Sequence, residues 1–163
     1  MAIEYGLTSF KFKAVGGSAL ASLGKILIGT CKFTGEAPKR SEFYAAQNPD
    51  FPAITFNENS GLQKIEFTLM EIDPDILVIL FGGAATGTAP NKSYAAPRVV
   101  ADVHGSAELI TESGLKLTIP KAALSANFNW DISRTAVSQI AVTLLIELPD
   151  LVTDMPYTIA RNV

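Results

Sequence analysis

Apolar and polar residues alternate strictly along several stretches of the chain. In "LQKIEFTLMEI", Ile65, Phe67 and Leu69 fall on one side and Lys64, Glu66 and Thr68 on the other, the period of a strand with one buried face. "SFKFK" sets Phe10 and Phe12 against Lys11 and Lys13 and predicts a first strand, and "KILIGTCKF" predicts a second. Later, "VVADVHG" and "SAELIT" lead through a turn at "ESG" into "LKLTIP", where Leu115, Leu117 and Ile119 alternate with Lys116 and Thr118; Ser113 and Gly114 between such runs predict a hairpin. "LSANFNWDIS" places Leu124, Ala126, Phe128, Trp130 and Ile132 opposite Ser125, Asn127, Asn129, Asp131 and Ser133. "SQIAVTLLIEL" closes the set with Ile140, Val142, Leu144, Ile146 and Leu148 on one face, and Pro149 ends it.

Three segments break this period. "DPDILVILFGG" puts six apolar residues, Ile76 to Phe81, between Asp73-Pro74-Asp75 and Gly82-Gly83. Asp73 suits an N-cap, Pro74 the first turn and Gly82 a left-handed exit, so the ends favour a short helix, while length and β-branching suit the competing reading, a buried strand. Such a helix has no polar stripe and needs cover on more than one side. Residues 34–60 carry Pro38, Pro49 and Pro52 among Phe43, Tyr44, Phe51 and Phe56 and show no period. Long aperiodic segments are disordered or functional, and aromatics argue for partner contact. The segment reads as an ordered arm that docks on a neighbour; the alternative is a loop folded back on its own core. "GGAATGTAPNKSYAAPR" is a second long loop, and residues 149–163 form a C-terminal tail.

The coarse expectation is a mainly β protein: one domain over 1–163, an antiparallel β-sandwich or partial barrel with one short helix and long loops. At 163 residues the chain can bury about two thirds of its unfolded surface without a staple. Its one cysteine, Cys31, excludes an intrachain disulfide and reads as a small buried apolar residue. Net charge is −3 and the basic residues are dispersed, which argues against a fixed grip on a phosphate backbone. With 48% hydrophobic and only 18% charged residues, some apolar surface is expected to be covered by other subunits. No apolar run approaches the ~18 residues of a membrane span, and "MAIEYGLTSFKFK" lacks the basic-then-apolar order of a secretion signal, so an unexported soluble chain is expected.

Candidate chemistry is sparse. His104, the only histidine, has no nucleophile pattern beside it and reads as a surface strand residue. Glu71, Asp73 and Asp75 lack the glycine turn and distal glutamate of a calcium loop, and helix capping accounts for two of them. Gly24-Lys25 is followed by Ile26 rather than the Ser or Thr of a phosphate loop. Trp130 falls on an apolar strand face and is expected in the core. "NKS" at Asn91 matches a glycosylation acceptor, which has no bearing on an unexported chain. No catalytic residue, metal ligand or cofactor is expected, and the chain does not read as an enzyme.

Two stretches taken together, "KIEFTLMEIDPDILVILFGG" and "GLKLTIPKAALSANFNWDISRTAVSQIAVTLLIEL", resemble the tail tube proteins of long-tailed bacteriophages, related proteins of phages and prophages of gut bacteria included. The resemblance is one of pattern and order and runs from the first strand to Leu148. The aromatic arm of 34–60 departs from it. It implies a virion structural protein, made in the bacterial host cytoplasm, whose hexameric rings stack into a tube through which DNA passes without being bound. It also implies partners in a tape-measure protein, a tail terminator and a tail-tip or baseplate complex, with a sheath protein added in a contractile tail. On this reading Phe43, Tyr44, Phe51, Phe56, Leu80 and Phe81 are expected at subunit interfaces, and the polar face of Ser125, Asn127, Asn129 and Asp131 is expected to line the lumen. The alternative function is a monomeric or dimeric β-sandwich binding module, for example for carbohydrate, with the aromatic loops as its recognition surface.

Overall fold

Where the alternation is strict, it becomes burial. In the computed structural model, which describes residues 3–161, half of the chain is strand and the strands pair antiparallel. In chain order they are β1 (Ser9–Ala14), β2 (Ala21–Ser22), β3 (Lys32–Gly35), β4 (Lys39–Ala45), β5 (Asn48–Asn59), β6 (Gln63–Leu69), helix α1 (Pro74–Phe81), β7 (Ala84–Thr86), β8 (Ser93–Ala95), β9 (Val103–Ile110), β10 (Leu115–Asn129), β11 (Gln139–Ile146) and β12 (Thr158–Arg161). Eight of them form one sheet in the order β2-β1-β9-β10-β11-β6-β3, with β12 paired to β10; β4-β5 and β7-β8 are separate hairpins.

The sheet curls without closing. β1 and β6 are separated by three strands, yet the rings of Phe10 and Phe67 lie 4.5 Å apart, so the two sides of the sheet face each other across the core. The result is sandwich-like and not a closed barrel. Phe10 and Phe12, Ile65, Phe67 and Leu69, and Ile140, Val142 and Leu144 are all buried, as their period predicts. Gly105 permits the close approach of β9 to β1, since a Cβ there would overlap the Lys13 carbonyl oxygen and the Phe12 ring.

β10 joins what the sequence divides. "LKLTIP" and the following run are one strand of 15 residues, and its register against β9 shifts between Ile119 and Ala122. Pro120 has no N–H for the ladder and sits in this bulge, where its absence costs nothing. The extra residue switches the buried parity from Leu117 and Ile119 to Ala122 and Leu124. The strand ends at Asn129, so Asp131 to Ser133 lie beyond it. Trp130 is correspondingly not a core residue: at 58% exposure it has passed the last turn of cover.

The helix reading holds. Asp73 has extended φ and ψ, its carboxylate accepts from the Asp75 N–H at 2.9 Å, Pro74 opens the first turn, and Gly82 exits at φ 74° with its N–H on the Val78 carbonyl. Ile76, Leu77 and Leu80 are buried against the sheet, while Val78, Ile79 and Phe81 are partly covered. Tyr94 of β8 donates to the Gly82 carbonyl at 2.8 Å, so the second long loop is a hairpin that covers the helix. "KILIGTCKF" is a strand only from Lys32. Gly29 at φ 76° and a turn from Thr30 to Leu27 interrupt it, leaving Ile26 as a single bridge to Leu69. Cys31 packs partly buried on the core, and burial pushes its thiol pKa up. The C-terminal tail returns as β12, with Tyr157 edge-on to Phe33 at 5.6 Å.

Candidate functional site

The arm of 34–60 is a β-hairpin, and its period is hidden by two prolines and three register shifts. β4 and β5 pair Ser41 with Phe56, Glu42 with Thr55 and Phe43 with Ile54; Pro52 falls opposite Tyr44 at one of the shifts. Cross-strand partners share a face, so Phe43, Ile54 and Phe56 lie together, with the Phe43 and Phe56 rings 6.0 Å apart and edge-on. Arg40, Glu42, Thr55 and Asn57 lie on the other face. Tyr44 is on that side, its hydroxyl donating to Glu42 at 2.6 Å, a bond that raises the phenol pKa. At the root, Ser41 donates to Glu58 and Lys39 pairs with it at 3.0 Å, and the two hold that carboxyl below the usual range.

Among the described residues nothing covers the apolar side. Every residue of β5 is exposed, Phe43 and Phe56 by 57% and 58%, and the hairpin makes no substantial packing contact with another described element. Phe51, also exposed, lies near the tip. An isolated two-stranded ribbon is marginally stable in water, so this one presents an aromatic surface while lacking a second layer of its own.

The outward face of the main sheet is polar and small. Ser125 stands opposite Thr143, which stands opposite Glu66, opposite Lys32; Asn127, Ala141 and Thr68 form the next row, and Asn129 meets Gln139. Ser125, Asn127, Asn129 and Asp131 are all exposed. Two of the lysines on this face are answered within the chain. Lys64 pairs with Glu66 at 2.9 Å, which raises the ammonium pKa, and Lys116 pairs with Glu108 at 2.9 Å.

No family model matches the chain, and no curated protein matches its sequence. The surfaces therefore stand on geometry alone. Of the residues expected at an interface, Phe43 and Phe56 come together, Tyr44 faces away from them and Phe51 is apart. Leu80 is corrected: at 2% exposure it belongs to the chain's own core and is not available to a neighbour. Phe81 is half-covered and stacks on Phe128 at 4.6 Å with planes 8° apart; Phe128 in turn neighbours Trp130 at 6.2 Å. This three-ring stack, at the end of the sheet, is a second exposed aromatic patch; sequence reasoning put Phe128 and Trp130 on a core-facing strand face and Phe81 at a subunit interface. Its signal was the polar run after Trp130, which marks the end of cover. Ile54 was also missed. The alternation Phe43, Ile54, Phe56 against Glu42, Thr55 would have found it once Pro52 was allowed at an irregularity.

Among the described residues no three His, Cys, Asp or Glu side chains are arranged to hold a metal ion, and no helix is long and apolar enough to cross a membrane. A shallow, open groove of about 470 Å³ is lined by Val15, His104, Lys121, Glu147, Leu148 and Asp150. His104 lies in β9, partly exposed, as a surface strand residue should.

Proposed function

We propose that the chain is a structural subunit that assembles with copies of itself into sixfold rings stacked as a hollow tube, like the phage tail tube proteins it resembles, and serves as a conduit for DNA in a virion. The observation that carries this reading is the β4–β5 hairpin, an ordered ribbon with one apolar face that no other described residue of its chain covers. A head-to-tail contact between identical subunits buries such a face against a different surface of the next copy, and such contacts close into rings or propagate as filaments. The sheet is also open, ending at β2 and β3, where neighbouring sheets can continue the ladder. A conduit for DNA must not grip phosphate, because each neutralised phosphate adds affinity that slows transit. The outward face bears on that need: Lys64 and Lys116 are paired to glutamates, and its Ser125, Asn127, Asn129, Ala141 and Thr143 carry no charge. Tape-measure, terminator and tip proteins would set the length and the ends.

Negative-stain electron microscopy over a concentration series, with the monomer fraction followed by light scattering, tests the proposal. Rings or hollow tubes are expected; a monomer at every concentration overturns it. The second reading, a carbohydrate-binding module, is favoured by one observation, the exposed Trp130 and Phe128 rings beside Asn129 and Asp131. Trp130 is the only tryptophan, so its fluorescence reports directly on oligosaccharide binding, and a saturable shift in a strictly monomeric protein would move the function to this patch.

A further inference from the structure

We propose that His104 is a pH-controlled clasp that fastens the segment between β11 and β12 to the sheet. The imidazole lies between two carboxylates, its Nδ1 2.9 Å from Glu147 and its Nε2 3.1 Å from Asp102. A neutral imidazole carries one N–H and can donate to only one of them, leaving a lone pair aimed at the other. Only the imidazolium donates both ways. The geometry is that of the charged form.

The position of Glu147 gives the contact its consequence. It is the first residue after β11, where the chain leaves the sheet, and its N–H donates to the Lys121 carbonyl at 3.1 Å. Lys121 of β10 reaches Asp150 at 2.6 Å, and Pro149 between these ties is buried. Beyond them Leu151, Val152 and Met155 are exposed, and the chain turns at Asp154 before β12 returns to β10. Residues 147–157 thus form a strap held mainly at its first four residues.

The groups facing the imidazole set the sign. Asp102 approaches from just before β9, Glu147 and Asp150 from the strap, and Lys121 from β10; Val15, just past β1, lines the same groove, and Lys13 of β1 and Asp154 line the adjoining one. With His104 neutral, Asp102, Glu147 and Asp150 are answered nearby by Lys121. Deprotonation therefore removes a hydrogen bond and leaves excess negative charge at the root of the strap. The hydrogen bond to Asp102 first and that to Glu147 second raise the imidazole pKa above its ordinary value, against a smaller opposing effect of desolvation. A raised folded pKa means the contribution is fully present below the ordinary imidazole value and is lost as pH climbs through the raised one. The clasp is closed in mild acid and loosens above neutrality.

Amide exchange across 147–157, corrected for intrinsic rates and measured from about pH 5.5 to about pH 8.5, tests this in the full chain. Protection is expected to fall with rising pH, tenfold for each unit that separates the imidazole pKa of the closed and open forms. In His104→Gln it should stay level at the parent's high-pH value. A level profile in the parent, or the same fall in His104→Gln, overturns the proposal. Because His104 is the only histidine, its imidazole resonances are unambiguous. In Glu147→Gln their midpoint should drop towards the ordinary value, and an unmoved midpoint overturns the proposal independently.

Discussion

The main sheet and the β4–β5 hairpin are built from the same alternation and end in opposite states. In β6, Ile65, Phe67 and Leu69 are buried in the core that β1 faces from across the sheet; in the hairpin, Phe43, Ile54 and Phe56 repeat that spacing and remain in solvent. The difference is the presence of a second layer. Period two specifies a face, and only another layer turns the face into a core. The body therefore draws its stability from within the chain, and the hairpin's apolar face contributes little until something outside the chain covers it.

The sharpest way to break this contrast is a charge at the centre of the body. Leu80→Asp places an unpaired carboxylate beneath the sheet, and an uncompensated buried charge costs about 3–5 kcal/mol. Net stabilities are only about 5–15 kcal/mol, so the variant should unfold at much lower temperature or accumulate as aggregate. Circular dichroism melting decides it: a melting temperature within a few degrees of the parent would mean that α1 is not part of the core.

How much of this was legible depended on whether local chemistry or distant cover decided each element. The strands at Phe10, Ile65 and Ile140 and the capped helix at Asp73 were legible because their signals lie within a few residues. The unity of β10 was not, because Pro120 reads as a terminator unless the bulge that accommodates it is known, and that bulge depends on register against β9. Trp130 was misplaced for a related reason: alternation assigns a face, and how far cover extends along that face is set by Phe81, 49 positions earlier in sequence. Leu80 shows the opposite error: a helix apolar on all sides points to a neighbour by pattern, whereas β7 and β8 supply cover from within the chain. The exposed aromatics of the arm were visible as composition, and their arrangement on one side of a ribbon was not. The ring of carboxylates around His104 joins residues from 102 to 150 and left no local trace.

A smaller effect sharpens the same contrast inside the body. Asp73→Ala removes the side chain that accepts from the Asp75 N–H, and loss of such an N-cap costs about 1 kcal/mol. For a domain of this size that lowers the melting temperature by about 2–4 °C. Amide exchange should quicken in α1 and stay unchanged in β4 and β5, which pack on no part of the helix. Equal acceleration in the hairpin would show that the two regions are coupled after all.

The smallest effect on the free chain should accompany the largest on assembly. Phe43→Ser with Phe56→Ser replaces both rings of an edge-on pair that is already more than half exposed. Substitutions at such surfaces usually move stability by no more than about 0.5 kcal/mol, so the monomer's melt should be nearly that of the parent. If a second copy covers this face, the double variant should stay monomeric at concentrations where the parent forms rings or tubes. In the parent, exchange across 39–59 should then be fast in the monomer and slow in the assembly, because an uncovered two-stranded ribbon opens readily. Assembly at parental concentration by the double variant would remove the hairpin from the interface. A large loss of monomer stability would instead mean that the chain itself covers those rings, and the contrast between body and arm would fail at its root.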